Sequence, residues 1–180
     1  MTPTRIDPMK AVEFATKTAM SVLQADKRHT FMALTFSDKG NGIVDLDDFM
    51  RTSEKLYREE HDLKGHDVKD QMAETLKGVL KATDAYGVIV ISEVWYAEVK
   101  PEMTVPPDKL QMPRYMPNRI EGLNITWEFK TDAGAEFGMR LLPFTRSGTG
   151  KQETITFTDK VVEVRDGKMG GRLTNLLGNP

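Results

Sequence analysis

Glu93 is the side chain in this 180-residue chain most open to chemistry. It alternates with Ile91 and Trp95, so it shares a face with apolar neighbours. A carboxylate so placed needs a partner or keeps its proton. Arg119, at the start of the next expected strand, is the candidate partner through an antiparallel return, with Arg114 and Arg140 as substitutes. An ion pair fixing the register of two strands is preferred here to catalysis.

Glu98-Val99-Lys100 downstream of Asp84 has the form Asp…Glu-x-Lys by which some nucleases hold Mg²⁺ between two carboxylates beside a lysine. Alternation puts Glu98 and Lys100 on one face. Asp84, however, precedes the same strand, and at about 3.3 Å per residue it lies tens of ångströms from Glu98. A nuclease would have to recruit another acid, such as Asp45 or Glu121.

Three other patterns reduce to turns and helix ends. Ser37 to Phe49 overlays a calcium loop with Asn41, Gly42 and Asp48 in place, but Ser37 and Lys39 stand where carboxylates are required. A hairpin turn accounts for the same glycines. His61 and His66 are five apart around Gly65, whereas helical zinc ligands sit three or four apart. Gly148-Thr149-Gly150-Lys151 lacks the upstream glycine, the following Ser or Thr, and the helix of a phosphate loop. With no cysteine in the chain, disulfides, thiolate metal sites and a cysteine nucleophile are excluded. No catalytic residue, cofactor or resident metal is expected.

The elements that must position these residues follow from periodicity. Asp7 and Pro8 open a helix to Arg28, with Val12, Ala15, Ala19, Val22 and Leu23 on one stripe. Residues 30–46 read as a β-hairpin around Asp38-Lys39-Gly40-Asn41-Gly42. Helices are expected over Asp47–Arg58 and Val68–Ala82, where Gly78 implies a close neighbour. From Val88 to Lys100 the period is two, and the first half of that strand is apolar on both faces. Strands over Arg119–Lys130, Glu136–Arg146 and Gln152–Val164 follow, joined by short turns. The expected fold is one α+β domain over residues 1–180, comprising an N-terminal helix, a hairpin, helices, and a mostly antiparallel meander of four strands with the helices on one face. Residues 1–7 and 165–180 are expected to be flexible ends.

Residues 101–118 break the pattern, holding five of the nine prolines together with Met103, Met112 and Met116. Methionines adapt to irregular surfaces, and prolines lower the cost of ordering a loop. This loop, with Arg114 and Tyr115, is therefore the expected protein-binding segment. Nucleic acid is a weaker expectation. Trp95, Tyr96, Trp127 and Phe129 could stack bases, but Glu93, Glu98, Glu121 and Glu128 interleave with them and the formal net charge is -2. The first ten residues lack the apolar core of a signal peptide, and no apolar run approaches membrane-spanning length. A cytoplasmic protein without membrane contact is expected.

Ser92-Glu93-Val94-Trp95, Arg119-Ile120-Glu121 and Gly171-Arg172 resemble a pattern in uncharacterised bacterial and phage proteins. In that group a hairpin and a Lys-bearing helix lead to a Ser-Glu-x-Trp strand, a Pro-rich loop and an Arg-x-Glu strand. The resemblance implies an α+β fold, a bacterial or phage source (host cytoplasm, if from a phage) and no particular activity. The leading expectation is a non-enzymatic accessory or assembly protein that binds another protein or itself. The alternative is a metal-dependent nuclease or nucleic-acid-binding protein using Glu93, Glu98, Lys100 and Glu121.

Overall fold

Asp7 caps the first helix, as its spacing from Lys10 suggests, because its Oδ1 accepts the Lys10 backbone N–H at 3.0 Å. That helix, α1 (Pro8–Asp26), ends where Lys27 turns into the left-handed region. The computed structural model describes residues 5–52, 65–97, 116–165 and 175–178. After α1 come β1 (Met32–Ser37) and β2 (Gly40–Asp45), then a helix α2 of which residues 46–52 are described, then α3 (Gly65–Ala82). Strands β3 (Ala85–Tyr96), β4 (Ile120–Thr131), β5 (Gly134–Ser147), β6 (Thr154–Phe157) and β7 (Val162–Arg165) complete the chain.

Among the described residues these seven strands form one sheet in the order β2-β1-β3-β4-β5-β6, with β7 also on β5. Every pairing is antiparallel. The α+β class, the N-terminal helix and the strand meander are as the sequence leads one to expect. The hairpin is not a separate unit, because β1 pairs with β3 and extends the meander sheet. The last expected strand is divided. Pro143 has no N–H to offer the ladder, and opposite it the neighbouring chain leaves the sheet over residues 158–161, with Thr158 N–H donating to Pro143 O.

The helices are not all on one face. Ile89 and Ile91 of β3 pack with Leu123, Ile125, Trp127 and Phe129 of β4 beneath Val12, Ala15, Ala19 and Leu23 of α1. Val88 and Val90, pointing the other way, pack with Leu46 of α2 and with Met72, Leu76 and Leu80 of α3. Placing all the helices on one side is thus corrected. A central strand apolar on both faces needs cover on both.

One local expectation is also corrected. A Cβ added at Gly78 would meet nothing within 4 Å, so no close neighbour explains that glycine. Near both ends the described residues make contacts with the rest of the domain. Arg5 pairs with Asp38 at 3.0 Å, and Ile6 N–H donates to the Tyr86 hydroxyl. At the other end Leu176 and Leu177 are buried in the core on the α3 side. Leu177 N–H donates to Oε2 of Glu128, a carboxylate only 5% exposed. Among the described residues no helix is long and apolar enough to cross a membrane.

Candidate functional site

Odd-numbered residues of β3 and β4 face α1, and beyond the end of that helix this face carries polar groups instead of core. Glu93, Trp95, Arg119 and Glu121 belong to this stretch. Arg146 of β5 joins them, being on the same face as Leu142 and Phe144.

Arg146 is the hub. Its Nη2 donates to Glu93 Oε2 and its Nε to Glu121 Oε2, each at 2.6 Å, while Nη1 donates to the Lys27 carbonyl at 2.5 Å. Glu153 lies 3.6 Å from Nη1, and the guanidinium stands 5.2 Å over the Phe144 ring. Glu93 uses its other oxygen to accept the His29 backbone N–H at 2.5 Å. Burial works against the charge on Arg146. The hydrogen bond with Glu121 and the fields of Glu93, Glu121 and Glu153 outweigh it and hold the guanidinium above its ordinary value. One side chain thus ties β3, β4, β5, the approach to β6 and the open C-terminal end of α1 together, where a cation also complements the helix dipole.

The pairing expected of Glu93 with Arg119 is replaced by this hub. Glu93 is opposite Leu123 and Tyr96 opposite Ile120, so Arg119 falls one residue beyond the described pairing. That is four residues along from Glu93, or roughly 13 Å at ~3.3 Å per residue. Arg119 instead lies over the Trp95 ring, 4.9 Å from its centroid. Arg140, named as a substitute, bonds Glu163 and the Thr16 hydroxyl. Arg146 went unnoticed, yet a signal was present: Arg140 and Arg146 both fall in phase with Leu142 and Phe144, two arginines on an apolar face.

This arrangement bears directly on nuclease chemistry. The carboxylates of Glu93 and Glu121 converge on a guanidinium where a divalent ion would have to sit. Among the described residues no group of three His, Asp or Glu is placed to hold a metal. Glu98 and Lys100 lie outside the described residues. Asp84 ends α3 with φ 52°, at the opposite end of β3 from Glu93. Asp45 caps α2 by accepting the Asp48 N–H, and Ser37 and Gly40 close the β1–β2 hairpin, so the calcium-like segment is built as a turn. Gly148 and Gly150 form a tight turn into β6. His61 lies outside the described residues and His66 falls in α3. Trp127 and Phe129 are core residues, unavailable for stacking on bases.

The end of the β3–β4 pair presents an exposed aromatic ring. Trp95 is 44% exposed despite its size. Arg119 covers one side of its ring, and the turn that delivers Arg119 is closed by its N–H donating to Met116 O at 3.2 Å. Met116 is half-buried there. Met103, Met112, Arg114 and Tyr115 lie outside the described residues, in the segment that joins these two strands.

Comparison with family models, curated proteins and solved structures finds no match.

Proposed function

We propose that the chain is a non-enzymatic accessory or assembly protein that binds another protein at the end of the β3–β4 pair, through Trp95, Arg119 and the segment 101–118. The observation that carries this reading is Trp95, nearly half exposed and stacked under a guanidinium. Tryptophan and arginine are the residue types that most often dominate the energy of an interface. A ring already held by a cation loses little freedom on docking. The Pro- and Met-rich composition of the adjoining segment supports the same surface. A bacterial or phage source rests on the Ser-Glu-x-Trp and Arg-x-Glu resemblance.

The test is affinity capture with quantitative mass spectrometry, comparing wild type with Trp95→Ala, with a deletion of residues 103–116, and with Phe14→Ala on the exposed side of α1. A partner lost from the first two variants and kept by the third supports the proposal. Capture that is the same for all four proteins sinks it.

A further inference from the structure

The two edges of the sheet differ in kind. On the far side β6 and β7 are four residues each and are separated by the break opposite Pro143. There β7 carries Glu163, which pairs with both Arg140 and Arg165. Short, interrupted and charged strands resist pairing with another chain. At the near side β2 is a continuous six-residue strand, fully in register with β1, with no proline, lysine or arginine from Gly40 to Asp45. Among the described residues nothing pairs with its outer edge. Antiparallel alternation leaves the N–H and C=O of every second β2 residue pointing outward. Ile43, 72% exposed, projects from that edge on the α1 face, where α1 packs chiefly over β3, β4 and β6.

We propose that β2 pairs antiparallel with β2 of a second copy of this chain, about a two-fold axis at Gly42. The occupant follows from self-complementarity. With Gly42 opposite itself, Asn41 faces Ile43 of the other copy, and Lys39, in the hairpin turn just before β2, comes beside its Asp45. The axis repeats each pair, giving two opposite-charge contacts at the ends of the joint. Lys39 makes no ion pair among the described residues, and Asp45 uses only Oδ1 to cap α2. The two Ile43 side chains meet diagonally on one face. On the other face the axial glycines leave room for the backbones to approach. An extended segment from a different protein would satisfy the outward backbone groups but not the doubled charge pairs.

Sedimentation equilibrium of the full chain, from about 1 µM to about 1 mM, reads the association directly. A monomer–dimer equilibrium is expected, weakened at least tenfold by Ile43→Lys without a change in melting temperature. Lys39→Glu sets like charges opposite each other, and so does Asp45→Lys. Each should weaken its homodimer, whereas mixing the two variants restores both pairs and should yield a heterodimer. Trp95→Ala should leave association unchanged, so this surface and the one proposed above are judged separately. Wild type that stays monomeric throughout overturns the proposal. It is equally overturned if dimers survive Ile43→Lys, if Trp95→Ala abolishes them, or if Ile43→Lys affects only capture of a different protein.

Discussion

Arg146 of β5 donates to Glu93 of β3 at 2.6 Å, although the whole of β4 lies between their strands in the sheet. The side chain crosses β4 on the α1 face and binds Glu121 on its way. Replacing it with methionine would leave two carboxylates facing each other in a half-dry setting, where breaking a pair costs more than forming it gained. Arg146→Met should lower stability by about 2–4 kcal/mol. Arg146→Lys should recover only part of that, because one ammonium cannot fork to both acids and the Lys27 carbonyl. Urea denaturation with a common slope measures both, and equal stability of wild type and Arg146→Met would refute the hub.

Glu163 makes stability depend on pH. Burial opposes its ionisation, but the hydrogen bonds from Arg165 and Arg140 outweigh that and hold its carboxyl below the ordinary value. The native state therefore binds the proton more weakly than the unfolded chain does. The resulting stability is fully present above the ordinary glutamate value of about 4.3 and is lost as pH falls through the lower native value. Asp38, held down by its hydrogen bond with Arg5, acts in the same direction. Glu163→Gln should flatten the acid limb of a plot of urea midpoint against pH. An unchanged slope below about pH 4.3 would count against this account.

The C-terminal leucines bear on stability in a way their sequence context conceals. Leu177→Ala should cost about 2–3 kcal/mol as a buried truncation. Ending the chain before Asn175 should cost about 4–6 kcal/mol, since two buried leucines and the N–H that serves Glu128 leave together. Thermal melts of the two variants would show this as two well-separated steps. A truncated chain as stable as wild type would mean that this docking is incidental.

Three glycines should respond in opposite ways to alanine. A Cβ at Gly87 would fall 2.3 Å from the Phe129 ring, and one at Gly138 would fall 2.3 Å from Trp127 and 2.7 Å from Val164 O. Both changes should destabilise by about 1–3 kcal/mol, with Gly138→Ala the worse because backbone cannot swing aside. Gly78, exposed in the middle of α3 with open space around it, should instead gain up to about 1 kcal/mol. Calorimetry on all three separates crowding from helix propensity.

The elements were legible because their signals are local. The Asp7-Pro8 start of α1, the glycine-rich hairpin turn and the period-two run from Val88 need only a few residues each to declare themselves. Layering was less legible, though the information was present: Val88 and Val90 against Ile89 and Ile91 required cover on both faces, and assigning every helix to one face left that requirement unmet. The partner of Glu93 was only half legible. Spacing marks Arg146 as an arginine on an apolar face of β5, but a search along neighbouring strands stops at Arg119. That Arg146 reaches Glu93 from two strands away depends on side-chain length and sheet twist, which residue spacing does not record. The contacts of Leu176-Leu177 were hidden because the glycines and basic residues around them resemble a solvated end, and the acceptor at Glu128 is 49 residues upstream.

The position of α1 sets an order of events during synthesis. Its apolar stripe rests on β3, β4 and β6, and Gln24 reaches the Ile155 carbonyl 131 residues later. At a translation rate of about 5–20 residues per second, the seat of this helix is incomplete for on the order of ten seconds after the helix itself is made. Until then Val12, Ala15, Ala19 and Leu23 have at most part of their sheet to cover. The helix is thus made long before the last strand that seats it.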